Sequence, residues 1–183
     1  VLLGGVSSID TDATTDANIT ITGTVDGNQG LTLTAGGGNV LVSGAVGGGT
    51  PLASFAVAGG GDVSLQGVTT QGGSGSNTID LGSVSALTGT VTLNGDLSTA
   101  GAGVDANTGN IRINASNVVS LEAAGAGAGT ITMRTNDGGV GTDGSITFAG
   151  GFTVQSATGW EDGLTLDLGS NSVDVSGVTI NSL

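Results

Sequence analysis

Cysteine, histidine, lysine and tyrosine are all absent from the 183 residues of this chain. The missing cysteine excludes disulfides, thiol nucleophiles and thiolate metal ligands together. Without histidine, lysine and tyrosine, most of the usual general acids, bases and amine nucleophiles are gone as well. Carboxylates and two cations, Arg112 and Arg134, are left for any chemistry, and an enzyme is not expected. Aromatic residues number only four (Phe55, Phe148, Phe152 and Trp160), and Pro51 is the single proline against 38 glycines. Average usage is about 7% glycine and about 5% proline. An interior so poor in large rings must be thin and filled by Val, Ile, Leu and Ala.

Positive charge is equally scarce: 15 acidic residues face the two arginines, for a formal net charge of −13. Such a surface repels phosphate backbones and anionic headgroups, so neither nucleic acid nor a membrane surface is an expected partner. Divalent cations are the ligands it would attract, and strong acidity also keeps a long extracellular polymer soluble. No apolar run approaches the roughly 18 residues of a membrane-spanning helix, so membrane insertion is not expected. In this stretch no charged segment precedes an apolar one in the manner of a signal peptide. Val1 in place of a methionine suggests a processed product or an excerpt from something longer.

What the chain does have is one recurring phrase, a Gly- or Asn-marked turn followed by a short alternating strand. It reads ANITITG from Ala17, QGLTLTAG from Gln29, GNVLVSG from Gly38, GDVSLQG from Gly61, SNTIDLG from Ser76 and GTVTLNG from Gly89. It returns as GNIRINA from Gly109, GTITMRT from Gly129, GSITFAG from Gly144, DGLTLDLG from Asp162 and NSVDVSG from Asn171. In each copy two aliphatic residues two apart flank a polar one. A strand would therefore bury pairs such as Ile19 and Ile21, or Ile111 and Ile113, and wet Thr20 or Arg112. The glycine load, at about 1 kcal/mol per interior position, and the missing 3.6-residue period exclude helix.

Two all-β architectures fit. In a sandwich or jelly roll the strands pair antiparallel, at a spacing of about 8 to 12 residues. In a solenoid each coil stacks in parallel on the one before. The strongest copies begin near residues 17, 38, 61, 89, 109, 129 and 162, mostly a solenoid coil apart. The expected fold is a single-domain parallel β-helix of about eight irregular coils, rising about 40 Å at the strand spacing. Gly36 to Asn39, Gly47 to Gly49, Gly59 to Gly61 and Gly72 to Gly75 mark its corners, where Gly and Asn adopt positive φ cheaply. Pro51 opens the PLASFAVA strand, where a missing donor does least harm.

The stretch ITITGTVDGNQGLTLTAGGGNVLVSGAVGGGTPLASFAVAGGGDVSLQGV, Ile19 to Val68, resembles the repeats of large bacterial surface proteins of the filamentous haemagglutinin and autotransporter-adhesin type. The likeness rests on TVDG, LTL, GNV, GAVGG and PL in that order, and after Val68 it is one of general style. The resemblance implies a right-handed β-helix, export across the outer membrane, and a role in adhesion, biofilm or surface structure. It carries over no catalytic residue.

Candidate sites are few. Glu161 and Asp162 beside Trp160 form the pair a polysaccharide-cleaving enzyme would need, two carboxyls about 5 to 10 Å apart. Neighbours on a strand point to opposite faces, however, which argues for a turn with one half-buried Trp. Calcium-binding β-rolls repeat GGxGxDxUx with U apolar. Residues 72–79 read GGSGSNTI with Asn77 at the Asp position, and residues 138–146 read GGVGTDGSI with Asp143 in place but Ser145 at the apolar position. Asp10, Asp12 and Asp16 make the densest acidic cluster, in SSIDTDATTDAN, without the glycine and closing Glu of an EF-hand loop. These five residues are the calcium candidates, and no cofactor is otherwise expected.

The outward threonines, Thr20, Thr22, Thr32, Thr34, Thr90, Thr92, Thr130, Thr132, Thr147 and Thr165, would form a flat array if coils aligned them, an arrangement resembling that of ice-binding solenoids. Thr also simply favours strands. Asn18 and Asn114 head formal glycosylation sequons.

Assembly is the function the pattern points to. An open solenoid leaves unpaired edges at both ends, which natural solenoids cover with polar caps. Neither Val1, Leu2 and Leu3 nor the segment from Ile180 to Leu183 reads as a cap. Neighbouring repeats then continue in the same polypeptide, or copies join end to end, with VLLGGV offered as an added strand. Phe148, Phe152 and Trp160 would thicken the core near one end or form a docking surface. The expected protein is a secreted, non-enzymatic structural or adhesive segment of a bacterial surface or extracellular fibre protein. The alternatives are a self-assembling filament subunit and a binding module for carbohydrate, calcium or ice. Its expected partners are copies of itself, neighbouring repeats and surface glycans.

Overall fold

A computed structural model of the chain describes residues 1–73, 75–100, 107–123, 129–136, 138–139, 141–156, 162–169, 171, 173–174 and 179–180. Every regular element among them is a strand, and none is a helix. The first turn of the chain holds β1 (Ser7–Asp10) and β2 (Ile19–Ile21), and the next holds β3 (Gly30–Thr34) and β4 (Val40–Val42). From there three strands recur per turn: β5 (Ser54–Gly59), β6 (Val63–Leu65) and β7 (Val68–Thr69), then β8 (Asn77–Leu81), β9 (Thr90–Leu93) and β10 (Leu97–Ser98). The pattern continues with β11 (Asn110–Asn114), β12 (Val118–Leu121) and β13 (Thr130–Arg134), then β14 (Ile146–Ala149), β15 (Thr153–Ser156) and β16 (Gly163–Asp167). β17 (Val173–Asp174) and β18 (Thr179–Ile180) follow.

These strands stack into three sheets. The first orders β1-β3-β5-β8-β11-β14-β17, the second β2-β4-β6-β9-β12-β15-β18, and the third β7-β10-β13-β16. Single parallel bridges from Val68 to Val46, Val46 to Val25 and Asp26 to Leu2 carry the third sheet on toward the N-terminus. Each pairing between named strands is parallel and joins one turn to the next. A sandwich or jelly roll needs antiparallel neighbours, so that alternative is wrong, and the stacked parallel arrangement of a β-solenoid stands.

The register shows why the recurring phrase works. Leu33, Val57, Leu81, Ile113 and Phe148 form one inward column of the first sheet. Val40, Val63, Val91, Val119 and Val154 form a column of the second, and Val68, Leu97 and Met133 one of the third. All of them are at most 1% exposed. The three columns meet in a core narrow enough for aliphatic side chains to fill, and among the described residues Phe55, Phe148 and Phe152 are its aromatic rings. Leu31 pairs with Phe55 and Phe55 with Ile79, 24 positions apart each time, whereas Ile79 pairs with Ile111, 32 positions on. The turns lengthen between strands while the columns stay in register.

Corners are fastened by side chains. Asn18, Asn39 and Asp62 stand just before β2, β4 and β6, and the Oδ1 of each accepts the backbone N–H of the following turn, from Asn39, Asp62 and Thr90 at 2.9, 2.9 and 2.8 Å. Where the third sheet hands over to the first, Thr70, Thr99 and Thr135 are fully buried. Their hydroxyls donate across the corner to Thr78 Oγ1, Gly109 O and Gly144 O at 3.0, 2.7 and 2.8 Å. Gly47 has a φ of 71° and its missing side chain leaves room for the Thr69 carbonyl of the next turn, so any larger residue there is both strained and crowded.

Truncation should therefore hurt in proportion to how well a residue is covered by turns on both sides. Leu81→Ala, in the middle of a column, should cost about 2–5 kcal/mol. Ile9→Ala, at the head of the same column, should cost less than about 1 kcal/mol. Urea unfolding of the two variants compares them directly, and equal losses would contradict the stacking order.

Candidate functional site

The first turn is the place where the columns end. Ile9 lies opposite Leu33 in the parallel register, yet Ile9 is 40% exposed while Leu33 is fully buried. Among the described residues nothing stacks on its other side. Val1, Leu2 and Val6 are also exposed, at 73%, 77% and 84%, whereas Leu3 packs partly against the core. β1 and β2 each have one hydrogen-bonded neighbour and one open edge. The segment VLLGGV is not held out as a strand for another molecule: Leu3 N–H donates to Asp26 O, and Asp26 N–H donates to Val1 O, both at 2.8 Å. The ammonium of Val1 donates to Thr24 O at 2.6 Å. This segment thus closes onto its own chain and presents Val1, Leu2 and Val6 outward.

The other expected assembly residues separate. Phe148 and Phe152 are buried at 1% and 3% exposure and meet edge to face with ring centroids 5.8 Å apart, a favourable aromatic geometry. They thicken the core and leave no docking ring at the surface. Ile180 lies in β18, opposite Val154. Trp160, Glu161 and Leu183 lie outside the described residues. Asp162, read as the partner of Glu161, is 1% exposed, and its two oxygens accept N–H groups from Gly129 at 2.8 Å and Ala123 at 3.3 Å. It braces a corner.

Of the calcium candidates, two converge. The Asp12 and Asp16 carboxylates both lie over the backbone of Gly36, and Asp16 also lies over Gly37. Asp10 turns back to accept the N–H of Asp12 at 2.9 Å. Asn77 donates to Asp80 at 3.4 Å, and Asp143 belongs to a corner two strands away, where Asn171 donates to its carbonyl oxygen. Among the described residues, no three acidic side chains gather as a metal-holding group.

Both cations are engaged in the scaffold. Arg112 Nε meets Asp80 at 2.7 Å, directly opposite on the neighbouring strand, and its other nitrogen reaches the carbonyls of Gly82 and Ser83. Arg134 Nε lies 3.5 Å from Asp167. The threonines do not align as a broad array. Thr20 lies opposite Leu41, Thr32 opposite Ser8 and Ala56, and Thr147 opposite Arg112 and Asp174, while Thr132 and Thr165 do pair. The hydroxyls that matter most to the scaffold, Thr70, Thr99 and Thr135, point inward. Sequence reasoning passed over them because they interrupt no aliphatic pair; their signal is a Thr just after a strand of the third sheet.

Comparison with family models, curated proteins and solved structures returns no match.

Two carboxyls titrate in opposite senses. The N–H groups of Thr50 and Gly49 hold Asp26 below the ordinary aspartate range, with smaller help from the N-terminal ammonium and Thr24. A lowered folded value gives stability that is present above the unfolded value and lost as pH falls through the folded one. Asp12 is pushed up by its hydrogen bond to Asp16, by burial, and by the charges of Asp16 and Asp10. Its contribution favours the fold at low pH and disappears as pH rises through the folded value. Asp26→Asn should accordingly flatten the loss of stability in acid, below about pH 4. Asp16→Asn should raise the melting temperature at pH 7. Melting curves from pH 2 to 8 check both signs.

Proposed function

We propose that this chain is a structural and adhesive segment of a secreted bacterial surface or extracellular fibre protein, wound as a right-handed β-helix of about eight irregular coils and without catalysis. What carries the reading is the parallel, in-register stacking of three sheets, a fold that can be extended by further turns without changing its geometry. The residue inventory agrees with it: an acidic, cysteine-free surface with its two arginines committed to cross-strand pairing suits a long soluble fibre. The likeness of residues 19–68 to surface-protein repeats adds the adhesive role. Neighbouring turns of the same fibre would cover Ile9, Val6 and Leu2, and each such side chain taken out of water contributes about 1.5–3 kcal/mol when fully buried.

A second reading, a filament subunit joined end to end, draws on the same exposed side chains. Two first turns placed face to face would oppose their Asp10, Asp12 and Asp16 clusters, so such copies would stack head to tail, the arrangement that builds open filaments.

Antibodies raised against the chain should label intact producing cells or their extracellular fibres. Labelling seen only after lysis would overturn the surface role. Light scattering during size-exclusion chromatography addresses the second reading: growth of the particle with concentration supports subunit stacking, and a monomer at every concentration rules it out.

A further inference from the structure

A groove of about 400 Å³ runs along the outer face of the second sheet, across β2, β4, β6 and β9, within the roughly 300–1,000 Å³ range of ligand sites. Asn18, Asn39 and Asp62 line it, one per turn. The Oδ1 of each is committed to capping the next turn, which fixes the side chain and aims its other atom. Asn18 Nδ2, Asn39 Nδ2 and Asp62 Oδ2 have no hydrogen-bond partner among the described residues. The result is a preoriented row of donor, donor and acceptor repeating at the strand spacing of about 4.8 Å, close to the length of one pyranose unit.

Beside that row the outward positions read Thr20, Leu41, Ser64 and Thr92. Leu41 is 41% exposed, a lone hydrocarbon among hydroxyls on a face where a solvated strand would place a polar residue. It offers an apolar contact of the kind a sugar ring's C–H face makes. The groove holds no cation, Asp62 brings a negative charge, and the whole chain is strongly acidic, so an anionic polymer would be repelled. A straight row of rungs suits an extended chain and not one that coils.

We propose that this groove binds a neutral, extended, β-linked polysaccharide, one sugar per rung, through Asn18, Asn39, Asp62 and Leu41. This deepens the adhesive reading by naming the class of target. The test uses the purified chain, so its failure leaves the surface-labelling result standing.

The experiment is an NMR titration of the ¹⁵N-labelled chain with cellohexaose and with chitohexaose. At least one should shift the side-chain amides of Asn18 and Asn39 and the backbone signals of Leu41 and Thr92, while the coiling α-linked maltohexaose should leave them in place. Asn39→Asp keeps the oxygen that caps Asp62 N–H and removes the donor, and it should weaken binding about five- to tenfold. Leu41→Asp, on an exposed side chain outside the capping row, should do the same with an unchanged melting temperature. Val84→Asp, at an exposed site elsewhere, should have no effect. No shifts with either β-linked probe, shifts confined to another face, equal binding of maltohexaose, or full affinity in the folded Leu41→Asp variant would each overturn the proposal.

Discussion

The structure depends on one constraint: each turn must satisfy its backbone hydrogen bonds on the turns above and below it, in parallel and in register. Side chains at matched positions are then forced into columns, and the inward columns are stable only if their members are apolar. This accounts for the Val series of the second sheet, for the Leu, Val and Ile series of the first, and for an interior that manages with so few rings. It also explains why insertions are tolerated between strands. A longer corner adds loop, at a cost that grows slowly with length, and the extra residues inside strands, Ala58 in β5 and Thr78 in β8, are absorbed as local register shifts near a strand end.

The same constraint gives the acidic residues a second role. Asp26, Asp62, Asp96 and Asp162 accept backbone N–H groups from neighbouring turns, and Asp80 and Asp167 pair with the arginines. Much of what composition presents as a solvated negative surface is corner hardware. Asn and Asp are interchangeable as N–H acceptors, so the ladder passes from Asn18 and Asn39 to Asp62 without interruption. Loss of stability in acid then traces to Asp26, whose carboxyl the N–H groups of Thr50 and Gly49 hold below the ordinary aspartate range.

The strand phrase was legible because alternation shows directly which face of a strand is wet, and parallel stacking was legible from the long interval between copies. The first four strong copies, from residues 17, 38, 61 and 89, do stack as β2, β4, β6 and β9. The copies from 109, 129 and 162 belong to the first and third sheets, as β11, β13 and β16. One phrase serves all three faces, so its spacing mixes the length of a whole turn with the distance between faces. β7 and β10 escaped notice because a two-residue strand carries a single inward residue, Val68 or Leu97, and shows no alternation; β1, β12 and β15 also lie outside the recurring phrase. The corner acceptors were read as turn residues, correctly as to place. Their partners lie 21 to 28 positions away, a distance at which no local pattern identifies a hydrogen bond.

The ends and the sides of this molecule offer different kinds of recognition. The head of the core at Ile9, Val6 and Leu2 presents apolar area and an open strand edge, which any turn of compatible register satisfies. Such a surface is good for extension and poor for choosing among ligands. The outer face of the second sheet is the reverse: its donors and acceptor are few, but the capping bonds have already ordered them, so a ligand that matches their spacing loses little further conformational entropy. Any selectivity would therefore have to come from ordered polar groups such as the capped row along the side, and not from apolar area at a strand edge.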